Sequence, residues 1–326
     1  MTALRAARPD VTIDVMSSGS GVEYYRARSV DCADLGIPDD NDISNAANWA
    51  VWRHLARSPN RWDLVITDEV VSAVPFAHHV LDAPAVVLTD WFFADFGNPR
   101  HDRVFDTAAE VIVLDFEQSH PDRPGTTAPV HHAGPVVEDF GVDRTAARTA
   151  VGITGPEPVV VLTLGGMPKR PEAARMIDSV LKAWDGLAGD RGRLFVLADP
   201  VVAGDAGTAE RDGVTWAGVT ATPDLYYAAA DLVLVDAMGF TGCELAFNRR
   251  RVLALTDARA LGTFPASFRH RLAHMASQGW VDTVDAACGA ERLRSLITDA
   301  RADRTPTVPM PTANLGALAA RILGHG

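Results

Sequence analysis

Short β-branched apolar runs alternate along the chain with longer stretches in which apolar residues recur every three or four positions. The first kind reads as strands buried on both faces, the second as helices with one apolar stripe. In the first half this pattern predicts strands over residues 11–15, 64–66, 85–88 and 111–114, with helices over 22–28, 42–56 and 73–81. A stretch rich in His and Pro, 118–135, reads as a loop. In the second half strands are predicted over 159–164, 194–197, 214–216, 232–235 and 252–255. Helices are predicted over 144–150 and 171–187, and from Pro223, Thr241, Ser267 and Ala290 onward. After the break Thr305-Pro306-Thr307-Val308-Pro309 a last amphipathic helix is predicted over 311–323.

Strands separated by helices in this way imply parallel sheets covered on both faces, an α/β fold. At 326 residues the chain is long enough for two such domains. A polar segment between Val137 and Pro158 marks the seam, so domains are expected at 1–137 and 138–326, as two Rossmann-like βα units facing a central cleft. The tail helix, 311–323, is expected to pack back on the first.

Charge narrows the partners. Lys and Arg total 30 against 42 for Asp and Glu, a net charge of −12, whereas nucleic acids and anionic membranes demand clustered cations. No apolar run reaches the roughly 20 residues that span a bilayer, and residues 1–10, with Arg5, Arg8 and Asp10, do not resemble a signal peptide. Cys32, Cys243 and Cys288 lie far apart without a C-x-x-C pair, so they read as reduced thiols in a cytoplasmic protein.

In open α/β sheets ligands bind beyond the carboxyl ends of strands. The richest such place is Asp236-Ala237-Met238-Gly239-Phe240-Thr241-Gly242-Cys243-Glu244. There a strand stops, glycines permit close approach of backbone, and a helix start offers N–H groups to an anion such as a diphosphate. Glu244 could accept hydrogen bonds from vicinal hydroxyls; the structural alternative is a tight turn with Glu244 complementing the helix dipole. Leu164-Gly165-Gly166 and the segment from Thr215-Trp216 to Thr220 are weaker candidates of the same kind. In the first half Asp68 and Glu69 follow one strand, and Asp90-Trp91-Phe92 the next. A carboxylate there could take the proton of an acceptor hydroxyl, so Asp68 and Asp90 are the catalytic candidates, with Glu69, Trp91 and Phe92 beside the acceptor. Helix capping is the competing role for Asp68 and Glu69.

Other groupings are poorer. Asp40-Asn41-Asp42 fits a D-x-D pattern for metal-dependent sugar transfer, but a polar loop before a helix favours capping. His270 and His274 are one helical turn apart, yet Arg269 and Arg271 flank them, so a solvated face is expected rather than a metal site. His131 and His132 stand without an acid motif, and no G-x-S-x-G elbow is present.

The segments "VVVLTLGG" and "VTWAGVTATPDLYYAAADLVLVDAMGFTGCELAFNRRRVLALT" resemble the C-terminal domain of GT-B glycosyltransferases of family 28, enzymes similar to the lipid II N-acetylglucosaminyltransferase and to antibiotic glycosyltransferases. The resemblance covers about residues 138–300, and "DLVITDEVVSAVPFAHHVLDAPAVVLTDWFF" is similar to the acceptor-domain core. It implies that Val219 and Thr220 face a nucleobase, Glu244 a ribose, and Gly239 to Gly242 a diphosphate. Gly165, Gly166, Trp216, Met238, Phe240 and Thr241 complete the nucleotide-sugar set. The implied reaction transfers a sugar from a UDP- or TDP-linked donor to a hydroxyl with inversion, with no cofactor and no metal. The implied partners are a small-molecule donor and acceptor; a peripheral membrane contact or a partner subunit stays open. An epimerase of the same architecture is the enzymatic alternative, and a non-catalytic nucleotide-sugar-binding protein or subunit is the other.

Two departures from the family stand out. Phe264-Pro265-Ala266-Ser267-Phe268 occupies the place of an Asp-Gln or Glu-Gln that meets the donor sugar. Met1-Thr2-Ala3-Leu4-Arg5 is similar to the end of the family's first helix. The resemblance therefore implies that the first strand and its glycine loop are lacking, and that nucleotide binding exceeds transfer.

Overall fold

The computed structural model describes residues 1–326 except 37–44, 58–60, 123, 165–170, 188–190, 199–201, 203–209, 219, 238, 258–263 and 301–307. The chain divides into two compact units, Met1–Val136 with Ala313–Gly326, and Val137–Thr312.

The second unit is one parallel sheet of six strands. These are β7 (Val159–Thr163), β8 (Arg193–Leu197), β9 (Val214–Trp216), β10 (Leu232–Asp236), β11 (Val252–Thr256) and β12 (Asp282–Asp285). Their spatial order is β12-β11-β10-β7-β8-β9, so the first strand lies in the interior. Every residue of β7 is buried, as is β10 up to its last residue, which is what helices on both faces require. The helices are α5 (Arg144–Ala150), α6 (Pro171–Asp185), α7 (Pro223–Ala229), α8 (Thr241–Phe247), α9 (Ala266–Ser277) and α10 (Ala290–Ala300). On one face Leu162, Leu194 and Leu234 of the sheet pack with Ile177, Leu181 and Trp184 of α6 and with Leu293 and Ile297 of α10. Burial of each such side chain contributes about 1.5–3 kcal/mol.

Asp143 caps α5 by accepting from the N–H groups of Thr145 and Ala146. Asp231 joins that helix to the sheet, accepting the Val159 N–H at 2.8 Å and pairing with Arg144 and Arg148. Strand β12 escapes the apolar pattern because it is an edge: of Asp-Thr-Val-Asp only Val284 is buried.

The first unit contains two separate parallel sheets. A short pair, β1 (Met16–Ser17) and β2 (Ala33–Asp34), is connected through α2 (Gly19–Ala27). The larger sheet runs β3 (Val65–Asp68), β4 (Ala85–Thr89), β5 (Glu110–Val113), β6 (Val130–His132) in that order. Helix α1 is Thr2–Ala7, α3 is Asn45–Arg57, α4 is Ala73–Phe76 continued as a wider turn to Leu81, and α11 is Leu315–Leu323. Val65, Val87, Val111 and Val113 face a core with Val74, Ala77, Phe92 and Phe105. On the opposite face Val86 and Ile112 pack under Leu4 of α1 and under Leu318 and Ile322 of α11. Helices α1 and α11 pack against each other.

Two expectations change here. The β-branched run 11–15 forms no strand; pairing begins only at Val15, whose carbonyl accepts from Ala33. The stretch 118–135 is not all loop, because β6 lies within it, half-buried and carrying His131 and His132 beside β5.

Candidate functional site

In the first unit the carboxyl ends of β3 and β4 are made alike. Thr67 and Thr89 are both buried, and each turns its hydroxyl back on the chain that follows. Thr67 Oγ1 donates to the Val70 carbonyl at 2.9 Å, and Thr89 Oγ1 to the Trp91 carbonyl at 2.7 Å. These bonds fix the turns that carry Asp68-Glu69 and Asp90-Trp91. The Glu69 N–H donates to Leu88 at 3.1 Å, which sets the first turn beside the end of β4. Glu69 adopts a left-handed backbone with φ of 60°, a conformation costing a non-glycine residue of order 1–3 kcal/mol and found mostly where surrounding structure enforces it.

The three carboxylates form one group. Burial raises the Glu69 carboxyl first; a hydrogen bond with the Asp90 side chain and the charges of Asp90 and Asp68 add to this, and it is pushed up to about 9. The Trp91 indole donates to Glu69 and opposes the shift. Glu69 keeps open surface, so the bond to Asp90 and the like charges are the durable part of the effect. Protonated Glu69 then donates to Asp90. Asp68 is likewise raised, by burial and then by Asp90, and its side chain stays accessible. A raised carboxylate is a stronger base, and an open one can reach a ligand. Tyr25, on α2, is close enough to Asp68 for its phenol to be raised by burial and by that charge; nothing in the sequence pattern singled it out.

Trp91 is buried, its ring edge-on to Phe93 and Phe96. Phe92 is a correction: it is 1% exposed and lies against Phe105 and His120, so its ring is core and offers no acceptor surface. The turn is held from beneath. Asp95 accepts the Phe92 N–H at 2.8 Å and Asp102 the Phe93 N–H at 2.6 Å. His120, fully enclosed, stands 3.7 Å from Asp95 and 3.6 Å from Asp115, longer than hydrogen bonds. Burial alone would lower its pKa; the two carboxylates outweigh this and hold it at about 9, a buried cation.

In the second unit the end of β7 meets Tyr227. This buried phenol on α7 lies 3.1 Å from the hydroxyl of Thr163, the last residue of β7. Burial raises it to about 12, the bond to Thr163 opposes this, and the charges of Glu244 and Asp224 add to it. Thr163 precedes the predicted Gly165-Gly166 turn, and Glu244 lies in the first turn of α8. Gly239 is exposed with space around its Cα, and Thr241, Gly242 and Glu244 are half-buried. Trp216 is half-buried against the sheet's core. The Thr220 hydroxyl accepts the Thr222 N–H at 3.1 Å, shaping the turn into α7. Gly165, Gly166, Val219, Met238 and the Asp40-Asn41-Asp42 motif lie outside the described residues.

Arg271 is the second correction. The sequence placed it on a solvated face of α9; it is 2% exposed, with its guanidinium 4.1 Å from the Phe240 ring centre and 4.5 Å from that of Phe268. A buried cation therefore abuts the Gly239–Gly242 loop. Its signal was two aromatics, Phe240 and Phe268, in reach of one arginine only after folding. Among the described residues no group of three or more His, Cys, Asp or Glu could hold a metal, and no helix is long and apolar enough to cross a membrane.

No family model and no curated protein matches the sequence. Solved structures do resemble the fold. The glycosyltransferase of kitacinnamycin aligns over 99% of this chain and 88% of its own, with 14% identity and a TM-score of 0.60. MurG of Acinetobacter baumannii aligns over 99% and 94%, with 15% identity and a TM-score of 0.55. A Listeria monocytogenes protein assigned as a UDP-N-acetylglucosamine 2-epimerase aligns over 99% and 92%, with 13% identity and a TM-score of 0.65. With its parallel sheets in two Rossmann-like units, this chain has the α/β fold of the GT-B glycosyltransferases.

Proposed function

We propose that the protein is a glycosyltransferase that moves a sugar from a UDP- or TDP-linked donor to a hydroxyl acceptor with inversion and without a metal. The observation that carries this reading is the convergence on Tyr227 of Thr163, the last residue of β7, and Glu244, in the first turn of α8. The nearness of Tyr227 to both the end of β7 and Glu244, an acidic residue suited to ribose hydroxyls just after the Gly239–Gly242 loop, supports a nucleotide site there. Arg271 supports an anionic ligand at the loop, because a buried guanidinium favours negative charge nearby. The base and ribose contacts follow the family resemblance: Val219 and Thr220 toward the base, Glu244 toward the ribose, Gly239 to Gly242 toward the diphosphate.

Asp68 is the proposed general base. The acceptor O–H gives its proton to the Asp68 carboxylate, the oxygen forms a bond to the anomeric carbon, and the bond from that carbon to the diphosphate breaks. The nucleoside diphosphate leaves with the electron pair. Asp90, engaged by protonated Glu69, fixes the turn that presents Asp68.

The test is transfer from UDP- and TDP-sugars to a panel of phenols and alcohols, with and without EDTA, for the native chain and Asp68→Asn. Product from the native chain in EDTA, lost in the variant, supports the reading. Absence of any transfer, or dependence on added magnesium, contradicts it. Similarity to the Listeria protein keeps epimerisation as the second reading, detected as a new sugar epimer formed without acceptor.

A further inference from the structure

Helix α9 turns one buried stripe toward the loop that precedes α8. Ser267, Arg271 and Met275 stand four residues apart along Ala266–Ser277, and all three are buried. Residues at this spacing lie above one another on one face of a helix. Met275 Sδ accepts the Cys243 thiol at 3.5 Å, and a side chain added at Gly242 would touch the Met275 methyl. One turn nearer the start of α9, the Arg271 guanidinium lies 4.1 Å from the Phe240 ring centre. The stripe therefore follows the loop backward, from Cys243 and Gly242 to Phe240. Ser267, about 5–6 Å further along the helix face, continues that line toward Gly239, which is exposed.

The end of that line is a set of hydrogen-bond donors. Ser267 is fully buried, yet its hydroxyl has no hydrogen-bond partner among the described residues. Such an orphan is costly, and alanine would fill the same space without the cost. Ser267 also sits in the first turn of α9, whose N-cap residue, Pro265, makes no side-chain cap. The Phe268 N–H returns to the Pro265 carbonyl at 3.2 Å, which leaves the first two N–H groups without an acceptor inside the helix. Along the stripe, the rings of Phe240 and Phe268 lie against Arg271. Rings take no ordinary hydrogen bond, so the guanidinium N–H groups are directed to oxygen atoms. Helix α9 carries two arginines, two histidines and no Asp or Glu, in a chain of net charge −12.

We propose that Ser267 and Arg271 receive a carboxylate on the sugar of the nucleotide donor, so that the donor is a nucleoside-diphosphate uronate. A neutral sugar hydroxyl brings its own proton and needs an acceptor, which neither a guanidinium nor helix N–H groups supply. A carboxylate brings only acceptors and matches both. It also suits the start of a helix, where the dipole favours negative charge. The inference rests on the reading of this unit as a nucleotide-sugar site, with the diphosphate at the Gly239–Gly242 loop. Arg271, beside Phe240, then stands between the two anions.

Calorimetric titration with UDP, UDP-glucose and UDP-glucuronate, and with the TDP-linked series, tests this on the native chain, Ser267→Ala and Arg271→Gln. The native chain should bind the uronate about 10-fold more tightly than the glucose analogue of the same nucleotide, the worth of a hydrogen bond to a charged group. Both variants should lose that preference. Ser267→Ala should bind UDP or TDP as the native chain does, and its unliganded Tm should not fall, since no bond within the chain is removed. Equal affinity for uronate and glucose donors, or a preference that survives Ser267→Ala, overturns the inference, while binding of UDP or TDP leaves the reading beneath it standing. Weaker binding of the free diphosphate by Ser267→Ala would assign the anion to the terminal phosphate and overturn the inference as well. If no nucleotide binds, both fall.

Discussion

The phenol oxygen of Tyr227 lies 3.1 Å from the hydroxyl of Thr163, joining helix α7 to the end of the central strand of the second unit. Both groups are buried, so losing either leaves the other unsatisfied. Tyr227→Phe and Thr163→Val should each cost about 1–2 kcal/mol in urea unfolding. The double variant should cost less than their sum, because the two substitutions remove one shared interaction. Additive costs would show that the bond contributes nothing.

Glu69→Gln is expected to keep turnover, since the amide can still donate to Asp90, whereas Glu69→Ala should lose it. The pH dependence has a definite sign. The Glu69 carboxyl sits at about 9 in the fold against 4.5 when free, so the native state holds a proton that the unfolded state releases between those values. Wild-type stability should therefore decline as pH rises through that window, and Glu69→Gln should decline less. Tm measured from pH 5 to 9 for both proteins checks this.

Asp68→Asn should lower transfer by about 10²–10⁴-fold, the usual worth of a general base. Nucleotide affinity, measured by calorimetry, should be unchanged. Equal transfer by wild type and variant would move the base elsewhere.

At the other end of the first unit, buried Glu110 accepts from Arg321 of α11 at 2.8 Å and lies 3.0 Å from the ring of His325. Burial raises the carboxyl, but these partners outweigh it and hold it below its ordinary 4.5. The stabilisation is present above the unfolded pKa and is lost as pH falls through the lower folded value. Glu110→Gln should release α11 to limited proteolysis at neutral pH and flatten the loss of stability in acid. Unchanged cleavage would show that Leu318 and Ile322 hold the helix without the ion pair.

Much of this fold was written in the chain, and the exceptions have physical causes. Val159 to Thr163 and Leu232 to Val235 were legible because interior parallel strands must be apolar throughout. Strand β12 was not, since an edge strand needs only Val284 inside. Residues 11–15 carry strand propensity yet form no strand, because propensity is not a partner. Asp68 and Asp90 were legible as residues at or after strand ends, and Glu244 as one in the first turn of a helix. The bond from Glu69 to Asp90, the nearness of Tyr25 to Asp68 and the burial of Arg271 join residues far apart in sequence, and no local pattern encodes them.

The proposed transfer requires above all a nucleoside diphosphate held at the Gly239–Glu244 segment. Thermal unfolding with UDP or TDP, for wild type and Glu244→Ala, tests this directly. A ligand at 100 times its dissociation constant adds about 2.7 kcal/mol, so wild type should show a clear rise in Tm with at least one of the two nucleotides. Glu244→Ala should lose most of that rise while keeping its unliganded Tm. No shift in wild type with either nucleotide, or an equal shift in both proteins, would contradict the account.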